Sequence, residues 1–104
     1  MLLVIDVGNT NTVVGVYDGE RLLAHWRLVT AHQQTVDEYG ILVRNLLQFA
    51  GIEAARLDAA IISSVVPPLD STLREMTKRY FHLEPLFVEP GIKTGIRIHY
   101  ENPQ

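Results

Sequence analysis

Leu2-Leu3-Val4-Ile5-Asp6-Val7-Gly8-Asn9-Thr10-Asn11-Thr12 is the stretch on which the fold turns. An apolar run rich in β-branched residues is the pattern of a buried strand. It ends in a carboxylate, so Asp6 belongs at the end of a strand where the chain turns. Gly8 lets backbone approach a ligand without a side chain in the way. Asn9, Thr10, Asn11 and Thr12 bring amide and hydroxyl donors, and successive turn N–H groups form an anion-binding nest. A carboxylate and a phosphate repel each other. Asp6 therefore makes sense beside phosphate only with a divalent cation between them, most simply Mg²⁺. A second apolar run, Val13-Val14-Gly15-Val16-Tyr17, follows at once. Gly-Asn between two apolar runs is also an ordinary hairpin signal, and that alternative stands on this segment alone. No Gly-Lys-Ser/Thr follows, which excludes a Walker loop. Gly8 and Gly15 are too far apart for a dinucleotide fingerprint, and a strand follows them instead of a helix.

The flanking sequence extends this hairpin into an α/β pattern. Tyr17-Asp18-Gly19-Glu20 carries an Asp-Gly turn, and Arg21 to Val29 follows with period two. Leu22, Ala24, Trp26 and Leu28 fall on one face of that third strand, with Arg21, His25 and Arg27 on the other. Thr30 to Gln34 is a polar loop. Thr35 and Glu38 form a capping box that opens a helix, Val36, Tyr39, Val43, Leu46, Leu47 and Ala50 give it an apolar stripe, and Gly51 closes it. Ala59-Ala60-Ile61-Ile62 is a buried strand ending in Ser63-Ser64. Pro67-Pro68 opens a second helix with Leu69, Leu73, Met76 and Tyr80 on its buried side. Leu86-Phe87-Val88 is a fifth strand stopped by Pro90-Gly91, and Ile96 to Tyr100 alternates as a short strand.

The order is β-β-β-α-β-α-β. Three hairpin-linked strands followed by two right-handed crossovers give a mixed five-stranded sheet with the first strand central. Asp6 then lies at the carboxyl end of that strand, where such sheets place ligands. No third helix follows the fifth strand, so one face of the sheet is expected to be only partly covered and to favour self-association.

Composition narrows the function classes. A length of 104 residues suits one domain, and 47% hydrophobic content excludes a disordered chain. A net charge of -3 lacks the basic footprint of nucleic-acid binding. With no cysteine, thiol and disulfide chemistry are excluded. No apolar run approaches the ~20 residues of a membrane span, and Met1-Leu2-Leu3-Val4 lacks a basic signal-peptide start. A cytoplasmic location is the expectation. His25, His32, His82 and His99 show no metal-ligand spacing. Arg74, Lys78 and Arg79 read as a solvated helix face, Lys93 as a solvated lysine or a carboxylate attractor, and Ser63 and Ser64 as strand-end residues facing a cleft, with no base visible to activate them.

The chain resembles the amino-terminal part of type III pantothenate kinases, within the acetate kinase, sugar kinase, Hsp70 and actin superfamily. The carriers are Asp6-Val7-Gly8-Asn9-Thr10-Asn11-Thr12, Asp37-Glu38-Tyr39-Gly40, Ile62-Ser63-Ser64-Val65-Val66-Pro67-Pro68, Pro90-Gly91-Ile92-Lys93-Thr94-Gly95 and Tyr100-Glu101-Asn102-Pro103. The resemblance implies a ribonuclease H-like, actin-like ATPase half-domain over residues 1–104. It implies ATP-dependent phosphorylation of pantothenate to 4'-phosphopantothenate, the first step of coenzyme A synthesis, by a homodimer using Mg²⁺ and a monovalent cation such as K⁺ or NH4⁺. It makes Asp6, Val7, Gly8, Asn9, Thr10, Asn11, Thr12 and Val13 the first phosphate-binding loop, Asp6 the metal-associated residue and Tyr100 part of the pantothenate pocket. The family's Gly-Ala-Asp-Arg stretch, with its proposed base and substrate arginine, would fall beyond Gln104. The expectation is thus a truncated half-cleft that carries no catalytic base. A regulatory or structural partner built from a kinase half-domain is the alternative.

Overall fold

The computed structural model describes residues 1–89. Five strands and two helices follow in the order β1 (Leu2–Val7), β2 (Asn11–Asp18), β3 (Arg21–Val29), α1 (Val36–Phe49), β4 (Ala59–Ser64), α2 (Pro67–Phe81) and β5 (Leu86–Val88). A short 3-10 turn over Ala54–Arg56, which the sequence pattern did not foretell, leads into β4. The sheet order is β3-β2-β1-β4-β5. β1 is central, antiparallel to β2 and parallel to β4, as the hairpins and crossovers require. The alternating strand from Ile96 to Tyr100, together with Lys93, His99 and Tyr100, lies outside the described residues.

Pairing on both sides explains why β1 is apolar at every position but Asp6. Leu3, Ile5 and Val7 join Val14, Val16, Ala60 and Ile62 beneath the helices, in one core with Tyr39, Val43, Leu47, Leu69, Leu73 and Met76. Val4, Val13 and Tyr17, on the opposite face, are buried as well, so the bare face expected from the missing third helix is not seen at these positions. Asp6 is not the last residue of its strand. The ladder continues to Val7, because β2 and β4 both extend to meet it, at Thr12 and Ser64.

Two other expectations need correction. A bulge opposite Val16 and Tyr17 puts one extra residue in β3, so Val16 faces Ala24 while Tyr17 faces Leu22. The bulge flips the parity of the alternation, and Leu23, with Trp26 and Leu28, packs on the core in place of Leu22. Ala50 is exposed at the end of α1 instead of lying on its buried stripe. It is the C-cap residue, and Gly51 follows with a left-handed φ of 73°.

The Asp37-Glu38-Tyr39-Gly40 stretch does structural work at the start of α1. Glu38 closes the capping box with Thr35. Asp37 accepts the Tyr80 hydroxyl at 2.6 Å and Arg79 at 3.2 Å, which ties α1 to the end of α2. Tyr80's hydrogen bond, and then Arg79, hold the Asp37 carboxyl below its ordinary value. A lowered folded-state pKa stabilises the fold above the unfolded pKa and stops doing so as pH falls through the folded one. The unfolding midpoints of wild type and Asp37→Asn should therefore differ at about pH 7 and converge as pH falls through the lowered folded-state pKa of Asp37. Equal midpoints at neutral pH would leave the contact without energetic weight.

Candidate functional site

The segment between β1 and β2 is a three-residue turn, Gly8-Asn9-Thr10, closed by a hydrogen bond from Gly8 N–H to the Asn11 carbonyl at 2.9 Å. Gly8 is buried while Asn9 and Thr10 are exposed. Each carbonyl along the turn is held. Val65 N–H donates to the Val7 carbonyl at 3.0 Å. The Thr30 hydroxyl donates to the Gly8 carbonyl at 2.8 Å. His32 Nε2 lies 3.2 Å from the Asn9 carbonyl, and Thr30 N–H donates to the Thr10 carbonyl at 2.8 Å. Among the described residues, the Asn9 and Thr10 N–H groups meet no backbone acceptor.

The sequence-derived site residues divide by what they present. Asn9 and Thr10 are exposed, and Asn11 is half-buried. Val7 and Val13 are core residues, so anything they give a ligand comes from their backbone. Thr12 was read as a hydroxyl donor for phosphate. Its hydroxyl is instead buried against that of Thr30 at 2.8 Å, so it braces the turn from inside. Tyr100 lies outside the described residues.

Asp6 sits on the sheet face opposite the helices. The register sets it between Val13 and Ser63, with Arg27 and Val88 next along the same row. Partial burial raises the Asp6 pKa from its ordinary 3.8. No hydrogen bond to another described residue offsets that cost. A half-buried carboxylate without a partner among the described residues, beside a turn with two N–H groups that meet no backbone acceptor there, is suited to a cation shared with a phosphate group. Among the described residues no three His, Cys, Asp or Glu side chains gather into a cation cage. A cation held here by Asp6 would keep much of its water, which is how Mg²⁺ binds phosphates.

Ser64 is occupied locally, accepting Val66 N–H at 3.0 Å ahead of α2. Ser63, half-buried beside Asp6, is the serine that faces the site. A groove of about 900 Å³ lies elsewhere, between the end of α1, the 3-10 turn and the end of α2. That is the end of the sheet where β4 starts, away from Asp6.

Comparison with known proteins settles the lineage. Residues 2–104 match the model of the type III pantothenate kinase family. The chain belongs to that family. A type III pantothenate kinase of Anaeromyxobacter sp. (strain Fw109-5) is 61% identical over 104 residues, which is 100% of this chain and 41% of the relative. Those of Myxococcus xanthus and Halalkalibacterium halodurans are 57% and 55% identical over the same length, again 41% of each relative. The chain thus spans about 41% of the length of these type III pantothenate kinases. Among solved structures, a ROK hexokinase from Thermus thermophilus matches with a TM-score of 0.63 at 17% identity, over 85% of this chain and 34% of that one. YeaZ from Pseudomonas aeruginosa matches with a TM-score of 0.60 at 18% identity, over 85% of this chain and 43% of that one. These likenesses establish the fold alone, a mixed five-stranded sheet with two helices of the ribonuclease H-like kind.

The residue that sequence reasoning passed over is Thr30, assigned to a polar loop. Nothing local distinguishes it from other loop threonines, because its partners Gly8, Thr10 and Thr12 are 18 to 22 residues away.

Proposed function

We propose that this chain supplies the phosphate-binding side of an ATP-dependent kinase acting on pantothenate. The observation that carries the proposal is the half-buried Asp6, without a hydrogen-bond partner among the described residues, next to a turn whose carbonyls are held and whose Asn9 and Thr10 N–H groups meet no backbone acceptor among those residues. Family membership supplies the substrate, pantothenate, and the product, 4'-phosphopantothenate. The turn binds and orients the ATP phosphates through its N–H donors. Asp6, with Ser63 beside it, would hold Mg²⁺ at the turn. Mg²⁺ held by Asp6 would supply positive charge against the transferred phosphoryl group. Pantothenate binding through Tyr100, a monovalent cation such as K⁺ or NH4⁺, a homodimer and a cytoplasmic location belong to the same reading. No described helix is long and apolar enough to cross a membrane.

The test joins residues 1–104 to the remaining length of the Anaeromyxobacter relative and measures pantothenate-dependent ADP release. Mg²⁺-dependent turnover is expected from the chimera and none from the 104-residue chain by itself. A folded chimera that hydrolyses ATP indifferently to pantothenate would overturn the substrate. Turnover by the short chain alone would overturn the need for a second half.

A further inference from the structure

The geometry points to Thr30 as the positioning residue that aims the donors of the phosphate turn, an inference that rests on the nucleotide reading above. Thr30 closes β3's end over the turn with both its backbone and its side chain. Its N–H holds the Thr10 carbonyl at 2.8 Å and its hydroxyl holds the Gly8 carbonyl at 2.8 Å. One hydroxyl has one hydrogen, so the 2.8 Å contact with Thr12 must have Thr12 as donor and Thr30 as acceptor. Both threonines are buried, which leaves no water to replace a lost partner.

Peptide planarity turns these bonds into a function. In a trans peptide the C=O and the next residue's N–H point in opposite directions. A Gly8 carbonyl drawn toward Thr30 therefore sends the Asn9 N–H away from it. His32, 3.2 Å from the Asn9 carbonyl, does the same for the Thr10 N–H. These are the two turn N–H groups without backbone acceptors among the described residues. Thr30 is in turn anchored through its neighbour Ala31, whose carbonyl accepts the Tyr39 hydroxyl of α1 at 3.0 Å. The donors are thus pre-aimed by the fold instead of being ordered by the ligand, which lowers the entropic cost of binding.

Thr30→Val keeps the shape and removes the hydroxyl, and Thr30→Ser restores it. Amide exchange and Mg·ATP titrations followed at the amides of Gly8, Asn9, Thr10 and Thr30 read the effect in the 104-residue chain. In Thr30→Val, exchange at Gly8 and Thr30 should quicken about tenfold and Mg·ATP binding should weaken about tenfold, with Thr30→Ser near wild type. Unchanged exchange would overturn the clamp. Faster exchange with undiminished Mg·ATP binding would overturn its positioning role. A wild-type chain whose turn amides ignore Mg·ATP would overturn the nucleotide reading itself, whatever the variants do.

Discussion

Asp6→Asn should cost the chimeric kinase about 10²–10⁴-fold in Mg²⁺-dependent turnover while leaving the fold at least as stable. Both halves of this expectation come from the same environment. The Asp6 carboxylate is half-buried without a hydrogen-bond partner among the described residues, and that desolvation raises its pKa. A raised folded-state pKa means the folded chain binds the proton more tightly than the unfolded one. Stability is then greatest below the ordinary carboxylate value and falls as pH rises through the folded pKa. At neutral pH the charge opposes folding, and the neutral amide removes that opposition. The same substitution takes away the Asp6 carboxylate, which is placed to hold a cation against phosphate in the turn. Activity assays and thermal unfolding of the same variant separate the two effects. A variant that is less stable and still active would make Asp6 a structural residue and no more.

Gly40→Ala is expected to produce the largest loss of stability from a single methyl group. A Cβ at Gly40 would land inside the Tyr80 ring, against Cδ1, Cγ and Cε1. The ring has no easy escape. Its hydroxyl is bonded to Asp37, and its backbone carbonyl accepts Arg44 at 2.8 Å. Overpacking of this kind typically costs about 1–3 kcal/mol, or roughly 4–8 °C per kcal/mol in a domain this small. Gly40→Ala combined with Tyr80→Ala should recover part of the loss by opening the space. A single variant with a wild-type midpoint would show that α1 and α2 slide apart at no cost.

The sheet order was legible because each link in it has a local signal. The Asp18-Gly19 turn, the capping box at Thr35 and Glu38, and the prolines opening α2 each mark a boundary independently of tertiary structure. The crossover rules then leave one sensible arrangement for five strands. The parity of β3 was not legible. A bulge is set by how two strands meet, and the run from Arg21 to Val29 alternates as well with it as without it. At the site, Asp6 and its turn stand out because an acid in a buried strand breaks the pattern of its neighbours. Thr12 was named for its hydroxyl, and only the fold shows that hydroxyl facing Thr30. Gly40 likewise declares itself only through Tyr80, 40 positions along the chain on another helix.

The most direct test of the account is where Mg·ATP touches this chain. With backbone amides followed residue by residue, Mg·ATP should shift Asn9, Thr10 and their neighbours Gly8 and Asn11, and Asp6→Asn should abolish the Mg²⁺-dependent part of those shifts. Shifts gathered instead around Arg44, Arg79 and His82 in the groove at the other end of the sheet would contradict it.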